Sequence, residues 1–72
     1  MKDLIFTLIE QGKYVEARKE IVQMNVVDIA QLFEEIDRQK LLLVFRILPK
    51  DIASGVFSYI SNELQKYIVE SI

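Results

Sequence analysis

The side chains that could do chemistry in this chain are almost all carboxylates. Asp28, Glu34, Glu35, Asp37 and Asp51 are spread through its middle, and its 72 residues include no His and no Cys. Without imidazole or thiolate, a Ser-His-Asp triad, a Cys-His nucleophile and a zinc site cannot be assembled. Ser54, Ser58, Ser61 and Ser71 therefore have no base to activate them. The only glycines are Gly12 and Gly55, too few for a loop that cradles phosphate. What carboxylates do unaided is hold a hard cation. Mg²⁺ is often bound by one or two of them while it keeps most of its waters, and such a site needs no local motif. Asp28, Glu34, Glu35 and Asp51 are the candidate ligands, and each also has an ordinary explanation. Asp28 and Asp51, like Asp37, sit where helices begin and suit the positive end of the helix dipole. Glu34 and Glu35 lie on a solvent-facing stripe. Acid–base catalysis by a carboxylate pair would need a pocket that shifts their pKa values, which short helices in so small a chain rarely enclose, so the chain reads as non-catalytic.

Charge and composition narrow the class further. The net charge is −2 and the cations are scattered, so there is no basic face to neutralise phosphates, which argues against a nucleic-acid partner. With 51% hydrophobic and 28% charged residues, two Gly and one Pro, the chain is too apolar for disorder and too poor in turn residues for an all-β fold. The first residues, MKDLIFTLIEQGK, hold an apolar run too short for a signal-peptide core, and no stretch is long enough to span a bilayer.

The elements that must position the carboxylates are helices. Leu4, Ile5, Leu8 and Ile9 share one side of a 3.6-residue helix that Gly12 ends. Tyr14, Ala17, Ile21 and Val22 line the inner side of a second, with Glu16, Arg18, Lys19 and Glu20 outward. Asn25 is a good N-cap, with Asp28 in the first turn of a helix whose stripe is Ile29, Leu32, Phe33 and Ile36. Asp37 caps the next helix, Arg38 to Leu48. Its body is apolar on nearly every side from Leu41 to Phe45, which places it at the centre. Pro49 stops that helix and opens another in its first turn, with Ala53, Val56, Phe57 and Ile60 inward. Ser61 and Asn62 start a last helix with the stripe Leu64, Tyr67, Ile68 and Ile72.

From Asn25 onward the chain repeats in blocks of twelve: NVVDIAQLFEEI, DRQKLLLVFRIL, PKDIASGVFSYI, SNELQKYIVESI. The first position starts a helix, the eighth and ninth are apolar, and the twelfth is Ile or Leu. Phe33, Phe45 and Phe57 recur at the ninth position and read as repeated core. Helices this short fall below the ~12–15 residues at which isolated helices become marginal in water, so packing must hold them. The expected fold is all-α: a right-handed superhelix of about six short helices stacked as successive hairpins, with one helix per block. The block is shorter than the repeats of about 34 and 40 residues of tetratricopeptide and HEAT proteins, and belongs to neither.

The run Asn25 to Ile60 resembles the intracellular N-terminal domain of the MgtE family of magnesium channels and transporters. The likeness is carried by NVVDIAQLFEEI, matching the family's Asp-Ile/Leu-Ala-x-Leu-x-Glu-x-Leu pattern through Asp28, Ile29, Ala30, Leu32, Glu34 or Glu35 and Ile36. It continues in LLLVFRILPKDIA (Leu41 to Ala53) and VFSYI (Val56 to Ile60), and Met1 to Met24 looks like the family's opening. The resemblance implies one cytosolic superhelical domain over residues 1–72, a fragment of a larger inner- or plasma-membrane protein in which CBS modules and a transmembrane pore follow. It also implies a regulatory rather than catalytic role, in a homodimer, with Mg²⁺ held weakly by acidic residues at a domain interface. The chain departs from the family at Gly55, where members commonly have an acidic residue. The competing reading is a helical-repeat interaction module without metal function, similar to the N-terminal domain of the flagellar motor switch protein. A third expectation is self-association through the face of Tyr67, Ile68 and Ile72.

Overall fold

A block of twelve residues has room for a helix of ten and a joint of two, and this division recurs along the chain. The computed structural model describes residues 2–71. They form six helices: α1 (Lys2–Glu10), α2 (Tyr14–Ile21), α3 (Val26–Glu35), α4 (Arg38–Ile47), α5 (Lys50–Tyr59) and α6 (Asn62–Ser71). No strand occurs among the described residues.

Local chemistry accounts for most of the helix ends. Gly12 has φ +75°, the left-handed region that L side chains avoid. From there the Gly12 N–H reaches the Ile9 carbonyl at 3.0 Å and the Lys13 N–H the Leu8 carbonyl at 2.8 Å, a Schellman closure of α1. At the start of α3, Asn25 Oδ1 accepts from the Asp28 N–H at 2.9 Å, as the sequence predicts. Asp37 stands at the N-cap of α4, but its side chain makes no cap hydrogen bond, contrary to expectation. The residue is exposed, and water can serve the first-turn N–H groups there. Pro49 occupies the N-cap of α5, one residue before its first turn. It holds the preceding Leu48 extended, as a residue before proline must be.

In the first three blocks the twelfth residue ends a helix from inside the core. Ile36, Leu48 and Ile60 are all C-caps with extended backbones, and all three are buried. Each closes one helix and turns the chain toward the cap of the next. The eighth residues, Leu32, Val44, Val56 and Ile68, have no exposed surface.

The centre of the molecule is α3 rather than α4. From α3 come Ile29, Ala30, Leu32 and Phe33, whereas α4 buries only Leu41 and Val44 and leaves Leu43 45% exposed. Neighbours cover one side of α4, so its extra apolar residues face outward. Leu4, expected inside, is likewise exposed, because α2 covers α1 on the side of Ile5 and Ile9. The packing of α1 on α2 is the expected hairpin. Further along, the close backbone approaches are between alternate helices, α2 with α4 and α3 with α5. At the second of these, a Cβ on Gly55 would lie 3.1 Å from Val26 Cγ1, so a side chain here would crowd α3. The radius of gyration is 11.0 Å, about that of any closely packed chain of this length, so the superhelix wraps one core.

Candidate functional site

The four candidate ligands occupy the ends of α3 and the start of α5. Asp28 is exposed in the first turn of α3, where its backbone N–H is taken by the Asn25 cap. Asp51 is exposed in the first turn of α5. Glu35 is the last helical residue of α3 and is exposed. Glu34 is exposed too, and both of its carboxylate oxygens are engaged. Its Oε2 accepts from the Ser61 N–H at 2.7 Å and its Oε1 from the Ser61 hydroxyl at 3.2 Å. A cation on Glu34 would compete with both bonds. Among the described residues no three carboxylates converge on one point. The donor set suits Mg²⁺ only as a contributor of one or two carboxylates to a site completed by water or by another surface.

Three connections between helices could not be read from residue spacing. Ser61 Oγ accepts from the Leu64 N–H at 3.2 Å, so the hydroxyl held by Glu34 also caps α6. Arg18 is part-buried rather than outward, and its Nε donates to the Ile47 carbonyl at 2.7 Å. Gln65 Nε2 donates to the Phe57 carbonyl at 2.6 Å. These two side chains satisfy last-turn carbonyls of α4 and α5 that have no partner within their own helix. The only hint in the sequence is Gln65 itself, a polar residue at the block position filled by Ile29 and Leu41. On the surface, Arg38 pairs with Glu63 at 3.1 Å and lies 5.3 Å from the centre of the Tyr67 ring.

The ninth residues form a column. The rings of Phe33 and Phe45 meet edge to face at 6.3 Å, and those of Phe45 and Phe57 lie tilted at 6.3 Å. Val69 is next in the series and is 60% exposed. Beside it opens a groove of about 490 Å³ that includes Phe45, Ala53, Phe57 and Val69, with Arg46 and Lys50 on its lining. The expected self-association face is altered accordingly. Ile68 is fully buried because it belongs to the core column of eighth residues, Tyr67 is partly buried, and Ile72 lies outside the described residues.

Short helices wrapped on an apolar core, with carboxylates exposed on α3 and α5, define an α-helical repeat domain. The model of the MgtE intracellular N domain matches residues 24–72, most of the chain, and the chain belongs to that family. It is thus the cytosolic domain of a magnesium transporter, a family that is not enzymatic. No curated protein and no solved structure matches the chain. No helix among the described residues is long and apolar enough to cross a membrane.

Proposed function

We propose that the chain is a Mg²⁺-sensing regulatory domain that acts on the transporter without catalysis. The family match over residues 24–72 carries this reading. The exposed carboxylates Asp28 and Asp51 support it, since a domain offering one or two oxygens at a time is suited to sharing an ion with a second surface. The second surface would be the CBS modules of the same polypeptide, in a homodimer whose transmembrane pore the cytosolic domains control. When bound, Mg²⁺ supplies positive charge between carboxylates that otherwise repel. This favours the arrangement in which the domains approach and shifts the population toward it. Asp28 and Asp51 lie exposed in helix first turns, where a second surface can reach them. Glu34 would join only by giving up Ser61.

The test is a Mg²⁺ titration of the complete cytosolic part of the transporter, following its radius of gyration by X-ray scattering and its thermal midpoint. Compaction and a raised midpoint are expected at millimolar Mg²⁺, the range that weak oxygen sites read. Both should weaken in the Asp28→Asn/Asp51→Asn double variant. No change in either quantity would remove the sensing role and leave an interaction scaffold.

A further inference from the structure

The groove at the end of the phenylalanine column has a chemistry of its own, unconnected with the carboxylates. Burial falls along the ninth-position series, from Phe33 at 1% exposed, through the part-buried Phe45 and Phe57, to Val69 at 60%. The column therefore ends in an uncovered apolar step between α4, α5 and α6. The groove's volume of about 490 Å³ is room for about three large aliphatic side chains, taking a leucine-sized cavity as the measure. Its charged lining residues, Arg46 and Lys50, are both cationic and both exposed, and none of the described residues that line it is acidic. This holds although the chain as a whole carries a net charge of −2.

We propose that this groove docks an acidic amphipathic helix from a partner protein, with apolar side chains against Phe45, Phe57 and Val69 and carboxylates beside them on Arg46 and Lys50. A helix fits the groove because its backbone hydrogen bonds are internal, so it can enter an apolar surface without stranding N–H groups. The described residues form six helices and no sheet edge to which a strand could add. The two cations select among amphipathic helices, since complementary charge sets specificity and association rate. The proposal is independent of Mg²⁺ sensing and stands or falls separately from it.

The experiment uses two labelled synthetic helices of about 16 residues, long enough for four turns. Both carry leucines at i, i+4, i+7 and i+11, flanked in one by glutamate and in the other by lysine. Fluorescence anisotropy with the full 72-residue chain is expected to show the glutamate helix binding about tenfold or more tightly than the lysine helix at low salt, with the gap closing as salt rises. Val69→Glu places a charge at an exposed position without entering the core, and should weaken binding of the glutamate helix by about tenfold or more. Lys50→Glu should invert the preference, with circular dichroism confirming that both variants stay folded. Equal binding of the two helices, or no saturation with either, overturns the proposal. So does a concentration-dependent mass of the chain alone that Val69→Glu abolishes, because a second copy would then be the occupant.

Discussion

Ser61 holds the start of α6 through one hydroxyl, which accepts from the Leu64 N–H and donates to Glu34, while its own N–H goes to the other Glu34 oxygen. The residue is both a helix cap and the anchor of α6 on the end of α3. Ser61→Ala is expected to lower stability by about 1 kcal/mol, the usual cost of a lost N-cap. Glu34→Ala should cost less, because the pair is solvent-exposed. In urea unfolding, the two changes together should fall short of their sum by about 0.5 kcal/mol, since each removes the same contact. Strict additivity would mean that the tie does not contribute to stability. Glu34 and Ser61 could each be read in the sequence, one as an exposed face and one as a cap. Their contact joins positions 27 residues apart, and helical periodicity is silent about which exposed face meets which helix end. For the same reason Arg18 reads as a solvated cation until α4 brings the Ile47 carbonyl to it.

At the scale of elements, the contact between α3 and α5 is set by a glycine. At Gly55, Val26 crowds the space a side chain would need. Gly55→Ala in a helix interior should gain about 1 kcal/mol from propensity, but the added methyl stands 3.1 Å from Val26 Cγ1. The single substitution is therefore expected to be near neutral. In a Val26→Ala background, where the crowding atom is gone, it should stabilise by about 1 kcal/mol. An equal effect in both backgrounds, measured by chemical denaturation, would mean that Val26 yields freely. Helix boundaries and inward stripes were legible here because caps, Gly12 and the period of apolar residues act locally. The rank of the helices was not. Leu41 to Phe45 is apolar on nearly every side of α4, but hydrophobicity alone does not say how many sides have neighbours, and Leu43 is left 45% exposed.

For the whole molecule, the block of twelve is the unit in which the core is built, since each block delivers one buried eighth residue and the first three each deliver a buried end residue as well. Inserting a second copy of Pro49–Ile60 after Ile60 should keep the helicity per residue and a single cooperative unfolding transition, read by far-ultraviolet circular dichroism. The same insertion lacking Ser54 should lose both, because one missing residue turns all later side chains by about 100° around their helix. Failure of the twelve-residue insertion as well would show that the blocks do not stack interchangeably. The all-α superhelix was legible as a whole because the repeat states it four times over. Whether the carboxylates act together was not legible, since a Mg²⁺ site of one or two carboxylates needs no local motif and the structure spreads Asp28 and Asp51 over two helices.

The core has one further property: among the described residues it contains no buried polar or charged side chain. Side-chain attraction within it is therefore the work of water expelled from apolar surface, a force that is almost wholly entropic near room temperature. Such a force fades on cooling as surely as thermal disorder grows on heating. A domain built this way has a temperature at which it is firmest and loosens on either side of it. The short helices, which cannot stand alone, would loosen with the core rather than outlast it.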